Sequence, residues 1–349
     1  MVAFRRLALI LVTIALVMPA QVANAAVPDK YGFAVWNGVA AVKRTPATTT
    51  IVEVPAGSGQ YRVTFPGQAH ANGYAHVTAI NGGGRWCQLN NWFSIGADAR
   101  VDVDCYNPGG FKQSTNFSVM YAGSSGPGPV TGAHVYYAYN LGGVPHKFNS
   151  TGAVDPAPID EPGVGSWLQN FNGIGGPMMK GQLQVTALNF AEGARCKASA
   201  WFIDAGFQQV RVKCYNSAGA PLDTRWVLSY HERREVVGKA GPKFAYGTLW
   251  WPGTPPLLSG FDVAETNYSS VGMRNTVLYV STGRYLVSLP NVAGGTDHVQ
   301  VTGYGHLNNR WCQLEDLWFY AGNGVQVKVA CFNNGQPADS GFFVTYSTV

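Results

Sequence analysis

Charge is the scarcest commodity in this chain: Asp, Glu, Lys and Arg together make up 12% of 349 residues. No basic stripe concentrates the 24 Lys and Arg residues, so a nucleic-acid interface is not indicated. Setting aside Arg5 and Arg6 leaves 22 basic against 19 acidic residues, too mild an excess to argue for an anionic membrane surface. Beyond Met18, no stretch reaches the roughly 18 uninterrupted apolar residues of a membrane helix. Closely spaced thiolates are also missing, which removes the usual zinc-site pattern. A Gly-x-Ser-x-Gly elbow and a Ser-x-x-Lys pair are absent as well. No metal, cofactor or nucleic-acid partner is therefore expected.

What is present begins with a three-part leader over residues 1–25. Arg5 and Arg6 precede the apolar run Leu7–Met18, and "ANA" offers small residues for cleavage before Ala26. This predicts a secreted protein, with a signal peptide removed on export. The remaining residues are rich in Gly, Asn, Thr, Val and aromatics, a composition that favours strands and turns.

Three copies of one unit then fill the chain. "RVDVDCYNPGG" (Arg100–Gly110) recurs as "VRVKCYNSAG" (Val210–Gly219) and "VKVACFNNGQ" (Val327–Gln336). Each copy opens on an aromatic strand, "YGFAVWNG", "HVYYAYN" or "FAYGTLWWPG", and passes through "HVTAIN", "QVTALN" or "QVTGYG". "RWCQLNNWF", "ARCKASAWF" or "RWCQLEDLWF" follows, and a last alternating strand closes the copy. The expected organisation is a β-domain at 26–122, a linker at 123–132, a second β-domain at 133–231, a linker at 232–243 and a third β-domain at 244–349. The linkers are read from "GSSGPGPVTG" and from the charged "HERREVVGKAGPK". The fold class expected is all-β: three tandem, antiparallel, sandwich-like domains, independent of one another, each with one disulfide-stapled hairpin.

Six cysteines in an exported chain, two per copy, suggest a disulfide framework. The repeats select Cys87 with Cys105, Cys196 with Cys214, and Cys312 with Cys331 among the 15 pairings that six cysteines allow. If each pair staples a hairpin, the turn lies midway, at Gly96, at Ala205 and between Ala321 and Gly322, all in glycine-containing sequences. Val101, Val103 and Cys105 share one parity, as do their counterparts, which turns the second cysteine of each pair to the core. The opposite face varies: Asp102 and Asp104, then Arg211 and Lys213, then Gln326 and Lys328. These are read as a solvated face. In the loop-entropy model each staple adds roughly 3 kcal/mol.

Candidate chemistry is sparse. His231 opens "HERRE", but no second histidine follows four residues later, and the segment reads as solvated linker. The seven histidines do not recur in one frame; His76 aligns with Gln184 and Gln300 and is read as an edge or surface residue. "DPAPIDEP" (Asp155–Pro162) holds three carboxylates without calcium-ligand spacing and reads as an ordered loop. Asp223 and Asp339 are read as turn aspartates that accept backbone N–H groups. Trp92, Trp201 and Trp318 follow the first cysteine by five, five and six residues and are assigned to the core. The aromatics of the opening strands vary between copies, so Trp36, Tyr136, Tyr137, Tyr139, Trp250 and Trp251 are the candidate ligand-binding residues.

The series "VTA...RWC...W...V.V.CYN..G...D..F.V.Y" resembles a tandem motif of secreted actinobacterial proteins without an assigned function. It covers nearly all of the chain after the leader. The first copy departs from it by lacking the Pro and Asp of the last loop, the second by having Ala194 where "RW" places Trp. The resemblance implies export and fold but no reaction. The function expected is non-enzymatic extracellular binding of a glycan or another extracellular protein. A structural or assembly component is the alternative and an extracellular hydrolase a third.

Overall fold

The computed structural model describes residues 28–125, 132–139, 145–175, 181–239, 246–253, 267–306 and 309–348. The expected leader at 1–25 lies outside them, as do most of the first seam and the end of the second. The described residues form 26 strands and no helix.

The first repeat supplies β1 (Lys30–Trp36), β2 (Ala41–Thr45), β3 (Thr50–Glu53), β4 (Gln60–Phe65), β5 (Tyr74–Ile80), β6 (Trp86–Ile95), β7 (Asp98–Tyr106) and β8 (Asn116–Gly123). The second supplies β9 (Ala133–Tyr139), β10 (His146–Asn149), β11 (Ile159–Asp160), β12 (Ser166–Asn172), β13 (Gln182–Leu188), β14 (Ala194–Ile203), β15 (Phe207–Asn216) and β16 (Arg225–Glu232). From the third come β17 (Tyr246–Trp251), β18 (Tyr268–Ser269), β19 (Thr276–Ser281), β20 (Arg284–Leu289) and β21 (Asp297–Tyr304). It continues with β22 (Trp311–Leu314), β23 (Phe319–Ala321), β24 (Gly324–Asn333), β25 (Gln336–Pro337) and β26 (Gly341–Thr348).

Each repeat is a sandwich of two halves built on four-stranded paths, with the short β23 and β25 added beside β24 in repeat 3, and its halves lie in different sheets. Repeat 1 divides into β2-β1-β8-β5 and β3-β4-β7-β6, repeat 2 into β10-β9-β16-β13 and β11-β12-β15-β14, and repeat 3 into β18-β17-β26-β21 and β19-β20-β24-β22. Strands within a half are antiparallel. Each half then joins a half of another repeat through one parallel rung: Leu188 with Leu89, Tyr304 with Ala198, and Leu314 with Ile80. Equivalent backbone bonds fasten all three joints, from the N–H groups of Asn189, Gly305 and Asn81 to the carbonyls of Leu89, Ala198 and Leu314, at 2.9 to 3.0 Å.

The repeats therefore close into a pseudo-threefold ring, where the sequence suggested independent domains on a string. Their cores interlock in the same cyclic order. Tyr136 and Phe148 of repeat 2, with Val236 and Val237 of the seam that follows it, pack into the core of repeat 1. Val35 and Ile80 of repeat 1 enter that of repeat 3, and Phe343 of repeat 3 enters that of repeat 2. The central strand β13 is buried at every position, as is β5, and β21 is nearly so. Such strands carry no polar face for water, so their alternation does not reveal which side meets a neighbour.

The three disulfides join the expected pairs, and no described cysteine is free. Each cysteine stands directly opposite its partner in the ladder, with Cα atoms 4.0 to 4.1 Å apart. The turns fall where the midpoint argument puts them, after Ile95, Ile203 and Ala321. Gly96 and Gly322 take φ of 58° and 59° there, the left-handed conformation that glycine adopts cheaply.

Three polar assignments change in the folded chain. Asp104 is 2% exposed rather than solvated, because Asn90 and Gln60 donate to it and Lys112 lies 3.0 Å from its carboxylate. His76 is buried, not at an edge: β5 turns it towards repeat 2, with Nδ1 2.8 Å from Thr186 Oγ1 and Nε2 2.8 Å from Ser229 Oγ. "HERRE" is not a solvated linker either, since His231, Arg234 and Glu235 are buried and Val236 and Val237 anchor the segment in repeat 1.

Candidate functional site

The aromatic residues of the opening strands do not form an exposed platform. Strands β1, β9 and β17 lie second from the sheet edges, and their side chains fill the sandwiches. Trp36, Tyr136, Tyr137 and Trp251 are buried, while Tyr139 and Trp250 are half-buried. Tyr136 stacks on Tyr74 with ring centres 4.1 Å apart, Trp250 lies 5.7 Å from Trp201, and Tyr139 lies 5.4 Å from Trp226. Trp36 reaches a hollow of about 250 Å³, shared with Glu53, Tyr61, Arg85 and Asn116.

An exposed aromatic does recur, one residue further along each stapled hairpin. Trp92, Trp201 and Trp318 point inward and are 8%, 2% and 4% exposed. Alternation turns the next residue outward: Phe93, Phe202 and Phe319 are 37%, 44% and 44% exposed. A cation from the partner strand lies over each ring. The guanidinium carbons of Arg100 and Arg211 lie 5.0 and 5.6 Å from the ring centres of Phe93 and Phe202, and Lys328 Nζ lies 5.8 Å from that of Phe319. Such exposed pairs stabilise by about 0.5–1 kcal/mol, enough to orient a ring but too little to account for leaving it in water.

The cations come from slightly different rungs. Counted back from the paired cysteines, Asp102, Arg211 and Lys328 are level with one another, which corrects the match of Gln326 to Asp102. With Asp102 on that rung, repeat 1 takes its cation from Arg100, which donates through Nε and Nη2 to both Asp102 oxygens at 3.0 and 3.2 Å. The recurring signal was therefore the Trp-Phe dipeptide, with a cation on the facing strand.

Beside the Phe202 pair lies a groove of about 680 Å³. Pro162, Val164 and Pro221 supply apolar wall, and Ser166, Arg211, Lys213 and Glu161 supply polar groups. Arg211 serves both features, lying over Phe202 while donating to Glu161 at 2.7 and 2.8 Å. Burial works to raise the Glu161 pKa, but hydrogen bonds from Arg211 and Ser166 hold it below the ordinary carboxylate value. The carboxylate is thus neutralised by Arg211, and Lys213 adds positive charge to the groove. Glu161 and Pro162, at the end of the 155–162 segment, form part of one wall. Asp155 of that segment faces away, buried against Asn149 and the Asn172 N–H, with burial pushing its pKa up to about 6.

Asp223 and Asp339 accept the backbone N–H groups of Gly165 and Gly283 at 2.6 and 2.7 Å. Repeat 1 has Ser114 at that position; Glu53 reaches across to take the Gly59 N–H at 2.8 Å and bonds Ser114. These carboxylates hold loops to strands, as their turn positions suggested.

No family model, curated protein or solved structure matches the chain. Among the described residues, no three His, Cys, Asp or Glu side chains gather in a group able to hold a metal ion, and no helix is long and apolar enough to cross a membrane. The three disulfides fit an oxidising environment.

Proposed function

We propose that this is a secreted, non-enzymatic binding protein that presents three equivalent aromatic contacts to an extracellular glycan. The recurrence of an exposed Phe–cation pair on all three stapled hairpins carries the reading. A core aromatic recurs because packing demands it. An aromatic left partly in water three times has no such reason, and exposed apolar ring surface suits the C–H faces of sugars. The adjoining groove in repeat 2, with Lys213 and the Arg211–Glu161 pair, is the subsite where hydroxyl or carboxylate groups of the same ligand would be held. Closure of the ring fixes the spacing of the three contacts, so weak single contacts add through effective concentration.

The reading draws its extracellular setting from the leader, the disulfides and the resemblance to secreted repeat proteins. Its test is retention on insoluble polysaccharides such as cellulose, chitin and peptidoglycan, with release by the matching soluble sugar. Retention lost in Phe202→Ala or in the triple Phe→Ala variant, with the fold intact, supports the site. Passage of the wild type through every matrix, as a defined larger assembly by light scattering, would instead favour a structural component.

A further inference from the structure

Three residues that immediately precede the first cysteine of each pair meet at the centre of the ring. They are Trp86, Arg195 and Trp311, paired across their hairpins with Tyr106, Tyr215 and Phe332. The ladder thus matches Arg195, not Ala194, to the tryptophans. Its guanidinium carbon lies 4.5 Å from the Trp86 ring centre and 3.9 Å from that of Trp311. Only 6% of Arg195 is exposed. Nη2 donates to the carbonyl of Asn216 at 3.0 Å and more weakly to that of Ser217. Nε and Nη1 have no partner, and among the described residues no carboxylate pairs with the side chain.

A cavity of about 50 Å³ lies against this group, lined by matched residues of all three repeats, among them Thr78, Thr186 and Thr302. The lining residues carry four buried polar atoms without a partner: Arg195 Nε and Nη1, Trp311 Nε1 and Gln313 Oε1. Three of the four are donors, and two belong to a cation. The threonine hydroxyls already have partners: Thr78 bonds Gln300, Thr186 bonds His76, and Thr302 donates to the Val185 carbonyl.

We propose that this cavity binds one small monovalent anion, of halide size, against the Arg195 guanidinium. The space accommodates one or two waters or a single halide, but not an oligosaccharide or a nucleotide. Water would be matched by a balance of donors and acceptors, whereas this lining offers an excess of donors around an unneutralised charge. Trp86 and Trp311, inclined to each other at 66°, hold the guanidinium through their ring faces and leave its edge for the anion. Burial supports the same picture, since it pulls the Arg195 pKa down to about 10 and the group stays charged at neutral pH. The anion would make the ring's centre electrically neutral and tie closure of the repeats to halide concentration.

The decisive measurement is anomalous diffraction at the bromide edge from crystals of the full protein soaked in sodium bromide. A bromide peak in the cavity beside Arg195 is expected; bromide confined to the surface overturns the proposal. In solution, chloride replacing gluconate at constant ionic strength should raise the unfolding midpoint of the wild type saturably. Arg195→Trp, which restores the residue of the other two repeats, should lose that response. An equal rise in wild type and variant contradicts the site. Should the variant fail to fold, the bromide measurement on the wild type decides alone.

Discussion

Leu314 of the last repeat pairs in parallel with Ile80 of the first, and the Asn81 N–H donates to the Leu314 carbonyl at 2.9 Å. That joint completes a ring in which each repeat lends side chains to a neighbour's core. Unfolding by denaturant is therefore expected as one transition, with tryptophan fluorescence and circular dichroism coincident. A chain cut after residue 239 should not retain two native repeats, because it leaves the joint faces of β5 and β14 uncovered. Three separable transitions would contradict the ring.

Stability should fall as the solution is acidified below pH 6.5. His76, His134 and His231 form a buried chain: Ser229 Oγ lies 2.8 Å from both His76 and His231, and His231 Nδ1 lies 2.9 Å from His134 Nδ1. Burial holds the pKa of His76 and of His134 down to about 3, and that of His231 well below its ordinary value, with neighbouring charge adding to the effect at His134 and His231. Their neutral state contributes full stability above the unfolded value near 6.5; that contribution is lost progressively as pH falls towards the folded value. Each unit of depression corresponds to about 1.4 kcal/mol, so by pH 5 one such histidine has withdrawn about 2 kcal/mol. His76→Gln, which installs the residue of the other two repeats, should reduce this dependence by about 2 kcal/mol in urea titrations at pH 7 and pH 5, leaving the shares of His134, His231 and the equally buried His298.

The loop carboxylates give a matched set of substitutions. Asp223→Ala and Asp339→Ala each remove a charged acceptor from a backbone N–H and should destabilise by about 1.5–3 kcal/mol. Glu53→Ala should do the same in repeat 1, and Ser114→Asp should restore much of the loss by supplying the carboxylate from the position used elsewhere. Denaturant midpoints at constant slope provide the check.

Replacing Cys196 and Cys214 together by alanine should lower stability by about 2–4 kcal/mol. Peptide mapping without reduction should return the three local pairs in the wild type and only two in the variant.

Much of this fold was legible along the chain. The valines before Cys105, Cys214 and Cys331 mark strand parity, and glycine-containing midpoints mark the turns, so disulfide pairing and hairpin register followed from local periodicity. Ring closure was not legible, because it depends on strands buried on both faces. "HVTAIN" shows that β5 is a strand, but nothing in it says that His76 meets Thr186 and Ser229 of the next repeat. The alternation rule likewise placed Asp104 on the outer face, yet Lys112 and Asn90 come from other segments to cover it. Phe93, Phe202 and Phe319 were visible as a repeated dipeptide. The sequence already assigned Trp92, Trp201 and Trp318 to the core, but how far the following phenylalanines reach into water emerged only with their exposure.

The function proposed is tested most directly by Phe93→Ala, Phe202→Ala and Phe319→Ala, singly and combined, in retention assays on insoluble polysaccharide. Each side chain is already partly in water, so thermal midpoints should stay close to that of the wild type. Loss of a significant aromatic contact costs about 1–2 kcal/mol, a several-fold to roughly thirty-fold weakening for a single variant. The expected result is graded loss through the single variants and complete loss in the folded triple variant. Retention by the triple variant equal to that of the wild type would contradict the aromatic-contact account.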